Sequence, residues 1–370
     1  MSTSGRASAR RRGQASATGS RAFASEGRVT IRDVARLAQV SPSTVSRAMA
    51  GNPRISEATR ARVLEAMERL GYRPNAIARS LVTRTSRTLG IVLYRPADEA
   101  FAHPFFAEAL RGVASVAQAN GYSLLVTTAE TYEMEAQQCL AMLEERRADG
   151  AVLLASRSSD PLVASLLQRQ HPFVVLGRVP DRRSVYWVNN DNFQAAAMVV
   201  LHLLQLGHRE LAVVGGRPEL VVTQDRLEGV TSTLQEAGLG LAPERIALGD
   251  FTWEHGYRET SRLLAQGRPP TAIVAMDDVL AAGVIRAARE RGLEIPRDLS
   301  VVGFNDDPMA QLLTPPLTTV RIPARELGEA AARQLIDRLD GRIPPVRHVV
   351  LPVELVVRGT TGPPPARGVS

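Results

Sequence analysis

The segment from residue 30 to residue 50 has a pattern of apolar and polar positions that predicts two short helices joined by a tight turn. Apolar residues of its first half fall on one helical face, and Thr30 with Asp33 forms a capping-box start. Ser41 can cap the second helix, and Pro42 suits its first position, where a missing N–H leaves no bond unmade. The polar residues that the second helix turns outward are Ser43, Thr44, Ser46 and Arg47. This arrangement is typical of a helix pair that reads DNA.

A third helix is predicted from Ser56, which can cap it, to Gly71, which can end it in a left-handed conformation. Its apolar stripe consists of Val63, Leu64, Met67 and Leu70. The three helices can therefore share one small core. Residues 76–81 have helical propensity, but so short a piece is not stable alone in water, so we expect it to fold only when another element orders it.

From residue 89 onward, apolar strands alternate with amphipathic helices. The predicted strands are 89–94, 123–127, 151–154, 173–176, 211–214, 272–275 and 300–303. The predicted helices are 105–119, 134–146, 192–206, 226–237, 253–265, 279–291 and 324–339. Such alternation indicates parallel sheets covered on both faces, arranged as one sheet or as two similar lobes that cross near 188–191. In such folds, ligands bind beyond the carboxyl ends of the strands.

The positive charge is concentrated at the N-terminal end. Residues 1–89 hold 17 of the 45 basic residues, all of which are Arg, and 5 of the 38 acidic ones, which gives a net charge of +12 there and −5 elsewhere. A basic segment on a mildly acidic body suits binding to a polyanion by that end. Residues 1–27 carry almost no large apolar side chain and are predicted to be disordered. Their Arg10, Arg11 and Arg12 could contact DNA phosphates or simply solubilise the tail.

Several other classes of protein find little support in the sequence. No apolar run approaches the roughly 18 to 20 residues of a membrane helix, and no apolar segment follows the basic start as in a secretory signal. The single cysteine, Cys139, fits a reducing cytoplasm, where we expect the protein to act. A Walker loop needs a Lys that is absent, no G-x-S-x-G elbow occurs, and the six His show no metal-ligand spacing. We therefore expect no enzyme activity, no cofactor and no metal.

A set of spaced motifs resembles the LacI/GalR (lactose-repressor) family of bacterial transcription regulators. The motifs are TIRDVARLAQVSPSTVSRAMAG, ISEATRARVLEAMERLGYRPNAIARSL, TLGIV, HPFFAEALRG, NNDNFQAA, LLQLGHRELAVVGG, DRLEGV, MDDVLAAG, IPRDLSVVGFNDDPMAQLLTPPLTTVRIP and LPVELVVRGTT. The resemblance covers about residues 29–361 and leaves only the two ends outside it.

The resemblance implies a multidomain fold: an all-α helix-turn-helix head, a hinge helix, and an α/β two-lobed sensor like periplasmic binding proteins. The implied domains are a disordered tail at 1–27, the head at 28–74, the hinge and linker at 75–88, the sensor at 89–362 and a disordered tail at 363–370. Within the sensor, it places lobe 1 at about 89–188 and 319–347 and lobe 2 at about 189–318 and 348–362.

The DNA-binding residues that the resemblance implies are Thr30, Ser41, Pro42, Ser43, Thr44, Ser46, Arg47, Asn52, Tyr72, Asn75, Ala78, Arg79 and Leu81. Arg47 could reach guanine O6 and N7 in the major groove, whereas the small polar residues would hold phosphates. Pro42 departs from members that place a hydrogen-bonding side chain there. Leu81 matches a hinge leucine that wedges into the minor groove, although it could instead be a linker residue packing on the sensor.

The effector-binding residues that the resemblance implies are Tyr94, Asp98, Phe105, Arg226, Phe251, Asp278, Asn305 and Asp306. A guanidinium and a carboxylate across a cleft suit a polyhydroxylated ligand, although either could form an ordinary surface ion pair. Asn305 stands where the family usually has Asp.

These expectations describe a repressor that binds a palindromic operator in double-stranded DNA as a homodimer or as a pair of dimers. Its affinity is expected to be set by a small-molecule effector, a carbohydrate or a sugar derivative, although sugars, sugar phosphates and nucleobases all suit this type of cleft. The rival is a free-standing solute-binding protein, which would need a signal sequence and no helix-turn-helix. A sugar-processing enzyme is the second rival, and turnover of the ligand would reveal it.

Overall fold

The computed structural model describes residues 29–72, 85–94, 103–154, 157–180 and 183–366. The chain divides into two compact units, Met1–Thr83 and Arg84–Ser370. The predictions for the tail at 1–27, for the hinge residues at 75–81 and for Asp98 lie outside the described residues. In the part of the chain that is described, no helix is both long and apolar enough to span a membrane.

The first unit contains three helices, α1 (Ile31–Leu37), α2 (Pro42–Met49) and α3 (Glu57–Leu70). The predicted caps are confirmed: the capping box of α1 is present, and the Ser41 and Ser56 hydroxyls accept backbone N–H bonds at the starts of α2 and α3. Val34, Val45 and Val63, one from each helix, are fully buried together. The expected stripe of α3 is wrong at Leu64, which is 54% exposed, because the face toward the core consists of Val63, Ala66, Met67 and Leu70.

The second unit is an α/β structure with helices between its strands. Its strands are β1 (Thr88–Tyr94), β2 (Ser123–Ala129), β3 (Gly150–Leu153), β4 (Phe173–Leu176), β5 (Trp187–Asn190), β6 (Leu211–Gly215), β7 (Ile246–Leu248), β8 (Ala272–Ala275), β9 (Ser300–Asn305), β10 (Thr318–Arg321), β11 (His348–Leu351) and β12 (Glu354–Val356). Its helices are α4 (Pro104–Ala119), α5 (Tyr132–Glu144), α6 (Pro161–Gln168), α7 (Asn192–Gln205), α8 (Val221–Glu236), α9 (Trp253–Leu264), α10 (Asp278–Glu290), α11 (Pro308–Leu312) and α12 (Ala324–Leu339), with a 3-10 turn at Pro243–Arg245.

The strands form two six-stranded sheets, which settles the alternative between one sheet and two lobes. The first sheet has the order β11-β5-β4-β3-β1-β2 and is parallel throughout; we call it and its helices lobe 1. The second has the order β12-β10-β9-β8-β6-β7, parallel except for the edge strand β12; with its helices it is lobe 2. The sheet interiors are almost entirely buried Val, Ile, Leu and Ala, as parallel sheets covered on both faces require.

The chain passes between the lobes after β5, after β10 and after β11. The expected divisions at 188, 318 and 347 therefore shift by a few residues, and the placement of 348–351 in lobe 2 is wrong because β11 pairs with β5 in the first sheet. This short edge strand has only half-buried or exposed side chains, with Val350 54% exposed, so it shows no buried apolar run in the sequence.

Helices α4 and α12 pack so closely that their backbones meet. A Cβ atom on Gly112 would lie 2.0 Å from the Arg325 carbonyl oxygen, and one on Gly328 would lie 2.1 Å from the Ala109 carbonyl oxygen. Both distances are far inside van der Waals contact, so these two positions require glycine for steric reasons. This contact fixes α12 on lobe 1 between the second and third chain crossings.

Candidate DNA-reading helix and effector cavity

The N-terminal turn of α2 presents a connected group of hydroxyls. The Ser41 Oγ accepts a hydrogen bond from the Thr44 N–H at 3.1 Å and lies 2.8 Å from both the Ser43 and the Thr44 hydroxyl oxygens. Ser43 and Arg47 are exposed and lie one helical turn apart, on the same face. Within the described part of the chain, the Arg47 guanidinium has no hydrogen bond or ion pair. That face is therefore available to an external partner.

The remaining residues predicted to bind DNA support the helices as well. The Thr30 hydroxyl donates to Asp33 at 2.7 Å, and this bond is the main cause of the lowered pKa of Asp33. Asn52 follows α2; its side-chain oxygen accepts from the Arg54 N–H at 2.9 Å. Pro42 is exposed and Ser46 half-buried, while Tyr72 packs on the three-helix core. The predicted hinge contacts Asn75, Ala78, Arg79 and Leu81 lie outside the described residues.

In the second unit, a cavity of about 270 Å³ lies between the two lobes, at the carboxyl ends of their strands. The predicted effector residues that line it are Tyr94, Phe105, Arg226, Phe251 and Asn305. Lining residues that the sequence reasoning did not single out include His103, Tyr132, Arg178, Asn189, Asn190, Asn192, Arg217, Asp250 and Asp277. The location agrees with the general rule for open α/β sheets.

Arg226, on α8, is the most buried cation of the cavity wall, with 4% exposure. Its Nε donates to the Asn192 side-chain oxygen at 3.0 Å, its Nη1 donates to the Met276 carbonyl oxygen, and its guanidinium lies 4.4 Å from the Phe304 ring centroid. Burial lowers the pKa of Arg226 to about 10, against the opposing effect of nearby aspartates. The group therefore remains a cation at neutral pH, held in one orientation.

Three asparagines at the first chain crossing hold Arg226 in place. The Asn192 amide donates to the Asn189 side-chain oxygen at 3.3 Å, and the Asn190 amide donates to the Asn192 side-chain oxygen at 3.1 Å. All three are buried, although asparagine is a residue that proteins usually leave exposed. The run of Asn at the end of an apolar strand was the signal in the sequence that could have marked them.

The sequence placed Asp278 against the effector, but the structure brings Asp277 to the cavity instead. The Asp278 side chain is fully buried inside lobe 2, where it accepts from the Thr319 hydroxyl at 2.6 Å and from the Asp307 N–H at 2.8 Å. Burial raises its pKa well above the usual value. Consecutive residues at a helix start point in different directions, and the sequence alone does not decide which of the two faces the cleft.

Asp277 connects the lobes across the cavity. Its Oδ2 lies 3.2 Å from the His103 Nε2 of lobe 1 and accepts from the Asn305 amide at 2.8 Å, while its Oδ1 caps α10 at 2.7 Å from the Val279 nitrogen. Burial would raise the pKa of Asp277, but His103 and the Val279 N–H outweigh it, so the pKa is lowered. Asp277 is therefore an anion with a fixed position at the cavity wall.

Two further predicted residues differ in their surroundings. Asp306 does not line the cavity, because its carboxylate is held by the Arg321 and Arg358 guanidinium groups within lobe 2. Phe251 does line it, and its ring lies against Gly216, where a Cβ atom would be 2.1 Å from the Phe251 Cε2. Gly216 therefore leaves the space that the ring occupies.

The charges of the described cavity wall are largely paired. Three of its cationic side chains have carboxylate partners: His103 with Asp277, Arg178 with Asp225, and Arg217 with Asp250. Glu135, another lining residue, is bound to Arg157 at 2.7 Å. Among the described cations of the wall, only Arg226 is bound to an amide and a carbonyl rather than to a carboxylate. No group of three or more His, Cys, Asp or Glu among the described residues has the arrangement of a metal site.

A helix pair with an exposed polar face and a separate two-lobed unit with an interior cavity together define a class of ligand-responsive DNA-binding proteins. The comparisons with known proteins agree. Residues 30–75 match the family model for bacterial regulatory proteins of the lacI family, and residues 200–361 match a periplasmic binding protein-like domain.

The curated relatives cover nearly the whole chain. The transcriptional repressor CytR of Escherichia coli is 33% identical over 91% of this chain and 97% of its own, and catabolite control protein A of Priestia megaterium is 32% identical over 90% and 99%. A lac repressor dimer bound to operator and an anti-inducer superposes with a TM-score of 0.79 at 28% identity, covering 90% of this chain and 99% of that one. The chain belongs to the LacI family of bacterial transcription regulators.

This membership confirms the resemblance and the fold class inferred from the sequence. The protein is a DNA-binding transcriptional regulator with an effector-binding sensor domain, and the free-standing solute-binding protein is not favoured. The relatives named above are DNA-binding regulators rather than enzymes.

Proposed function

We propose that the protein is a repressor that binds a palindromic operator as a homodimer and changes its affinity when a small uncharged carbohydrate occupies the cavity. The observation that carries this proposal is the cavity wall, where Arg226 and Asp277 are both held in fixed positions beside a space of about 270 Å³. A buried guanidinium and a carboxylate can together donate to and accept from hydroxyl groups.

The pairing of charges in the described wall supports an uncharged effector. A phosphate dianion is best held by several guanidinium or ammonium groups free to bind it, but three of the cations here already pair with carboxylates. Glu130 also lines the cavity and would repel an anion. Solved relatives have been captured with cellobiose, in CelR, and with ribose, in a regulator from Enterococcus faecium.

For DNA, we propose that Arg47 reads a guanine and that Ser43 contacts a base edge or a phosphate. Ser41, Thr44, Ser46 and Asn52 would hold phosphates and fix the register. The family's hinge residues, from Asn75 to Leu81 in this chain, would bind the minor groove at the operator centre and order with it. Effector binding would change the relative position of the two lobes and so favour or disfavour that ordered hinge.

We further propose that the protein acts in the cytoplasm and catalyses no reaction. A bound carbohydrate recovered chemically unchanged after long incubation would support this, whereas accumulation of a product would show that the site is catalytic.

DNA binding can be tested by footprinting and fluorescence anisotropy on the region upstream of the protein's own gene. We expect protection of a palindrome, with an affinity that falls steeply as salt rises. The absence of such a palindrome, or binding insensitive to salt, would refute the operator role.

The effector can be tested by a thermal-shift screen of neutral sugars, the same sugars as phosphates, and nucleobases. A ligand at 100 times its Kd should add about 2.7 kcal/mol to stability. We expect the neutral sugars to contain the ligand that stabilises the protein and alters operator affinity. Stabilisation only by phosphorylated sugars, or only by nucleobases, would refute the proposed ligand class.

A further inference from the structure

Two tyrosines of lobe 1 lie side by side at the rim of the cavity. Tyr94 ends β1 and Tyr132 begins α5, and their ring centroids are 4.0 Å apart with an angle of 31° between the planes. Both rings line the cavity and both are half-buried, and the side chain of Arg217, which contacts Tyr94, is 41% exposed. The pair therefore lies close to where the cavity meets the solvent.

Each tyrosine hydroxyl makes a hydrogen bond to lobe 2. The Arg217 Nη1 donates to the Tyr94 hydroxyl at 2.9 Å, and the Tyr132 hydroxyl donates to the Glu219 Oε1 at 2.8 Å. Both partners lie in the segment that joins β6 to α8. Burial and the bond to Glu219 raise the pKa of Tyr132 above its ordinary value, so its hydroxyl stays protonated and can donate.

The backbone pairs across the lobes at the same rim. The Ser158 N–H donates to the Glu219 carbonyl oxygen at 3.2 Å, and Arg157 and Leu220 form an isolated antiparallel bridge. The two tyrosine bonds and this bridge thus connect the same short segment of lobe 2 to three separate elements of lobe 1.

The two arginines beside this contact, Arg157 and Arg217, each have carboxylate partners within their own lobe. Arg157 stacks on the Tyr132 ring at 4.0 Å and is bound to Glu135 at 2.7 Å and to Asp160 at 2.9 Å, all inside lobe 1. Arg217 pairs with Asp250 inside lobe 2. Opening of the rim at the tyrosines therefore breaks hydrogen bonds of neutral phenols and a backbone pair, while Arg157 and Arg217 keep their carboxylate partners. Two charge pairs also join the lobes, Arg178 with Asp225 and His103 with Asp277, so the tyrosine bonds act together with them. Each neutral bond of the rim makes a modest contribution that a single substitution can remove.

We propose that Tyr94 and Tyr132, with Arg217 and Glu219, form a clasp across the cavity rim that sets how often the two lobes separate. The clasp deepens the sensor role proposed above, since it would control entry and retention of the ligand. The four side chains position the lobes and need not contact the ligand.

The experiment measures lobe separation directly, in the ligand-free full-length protein, by hydrogen–deuterium exchange of the Ser158 amide. That amide donates to the Glu219 carbonyl oxygen of the other lobe, so its exchange reports how often this contact between the lobes opens. In Tyr132→Phe, which keeps the stacked ring and removes one cross-lobe bond, we expect Ser158 exchange to accelerate by roughly twofold to tenfold. Tyr94→Phe should act in the same direction, and the double variant should exceed either.

The matched control is Tyr257→Phe, because the Tyr257 hydroxyl makes the same kind of bond to Glu290, but wholly within lobe 2. It should leave Ser158 exchange unchanged. The amides of β8 report global stability and should be unaffected in every variant. If they are affected in Tyr132→Phe, then Glu219→Ala, which leaves all contacts within lobe 1 in place, gives the same test.

Unchanged Ser158 exchange in both Tyr132→Phe and Tyr94→Phe, or an equal increase in Tyr257→Phe, would overturn the clasp. Glu219→Gln, which retains an acceptor for the Tyr132 hydroxyl, should exchange at a rate between those of the wild type and Glu219→Ala. Neither DNA nor effector enters these measurements, so failure of the clasp and failure of the proposed function give separate results.

Discussion

Asp307 is a carboxyl group whose protonation should make the stability of the protein depend on pH. It lies directly before α11, is 5% exposed, and its Oδ2 is buried without a hydrogen-bond partner among the described residues. Burial raises the pKa of Asp307 to about 7, and the nearby Asp277 carboxylate adds to this effect, while His103 opposes it. The folded protein therefore holds a proton at pH values where the unfolded chain has released it.

The sign and size of the effect follow from that difference in proton affinity. Between pH 3.8, the ordinary pKa of an Asp carboxyl, and about pH 7, the folded state binds more protons than the unfolded state. The stabilisation that is present below this pH range is therefore lost as the pH rises through it. Since each tenfold change in proton affinity corresponds to about 1.4 kcal/mol, the whole window corresponds to at most about 4 kcal/mol. Asn has the same shape and no charge, so Asp307→Asn should remove this loss.

The assay is urea unfolding of the wild type and Asp307→Asn in steps from about pH 4 to about pH 8.5, the range over which the linkage acts. We expect the stability of the variant relative to the wild type to increase with pH, by at most about 4 kcal/mol, and to level off above about pH 7. Subtracting the unfolding free energy of the wild type from that of the variant cancels the contribution of groups that titrate in both proteins. His208, whose pKa is lowered by burial, is one of these groups.

Asp306→Asn is the matched control, because the neighbouring Asp306 also has a buried side chain, 5% exposed, but its carboxylate is bound by Arg321 and Arg358. Its loss should destabilise the protein at neutral pH by about 2 kcal/mol, the usual range for hydrogen bonds to a charged group. If the Asp307→Asn difference were flat across pH, or followed the Asp306→Asn difference, the reasoning from burial would be refuted.

Three further substitutions test the reading helix, the cavity and the packing of the sensor. Arg47→Ala should weaken operator binding by about 1 to 3 kcal/mol and reduce the selectivity for one base pair, as measured by anisotropy on operator variants. Unchanged selectivity would mean that a residue other than Arg47 recognises that base. Gly216→Ala should force the Phe251 ring toward the cavity and reduce effector affinity at least about tenfold in calorimetry, while operator affinity without effector stays the same. Gly112→Ala should cost about 1 to 3 kcal/mol in urea unfolding, because its Cβ meets backbone, whereas Gly267→Ala, with open space around it, should be tolerated.

The helix-turn-helix could be predicted from sequence almost to the residue because its signals are local. The Thr30 and Ser41 caps, Pro42 at a first helical position and Gly71 at a helix end each act within a few residues of chain. The error at Leu64 arose because it is adjacent to Val63 in an apolar pair, whereas helical spacing from Val63 continues through Ala66, Met67 and Leu70 and leaves Leu64 exposed.

In the sensor, strands with continuous apolar runs were predictable, but five other described strands were not. The edge strands β7, β11 and β12 carry few buried side chains, and β5 and β10 are buried but contain Asn, Thr and Arg rather than an apolar run. The cavity wall was predictable in part. Tyr94, Arg226, Phe251 and Asn305 line it as expected, yet the choice between Asp277 and Asp278 depends on which carboxylate the Thr319 hydroxyl holds inside lobe 2. That contact joins residues 41 positions apart, and no periodicity in the sequence encodes it.

The position of Arg226 explains why a ligand in this cavity can affect the arrangement of the lobes. Its guanidinium is held by Asn192, the first residue of α7, and Asn192 is held in turn by Asn189 and Asn190 at the end of β5. These residues are the chain crossing itself, with β5 in lobe 1 and α7 in lobe 2. A ligand hydroxyl bound to Arg226, as proposed above, would act on the connection between the lobes, and one bound to Asp277 would act on its contact with His103 of lobe 1. Contacts at these two points would differ between one arrangement of the lobes and another, which is the differential interaction that a ligand-controlled switch requires.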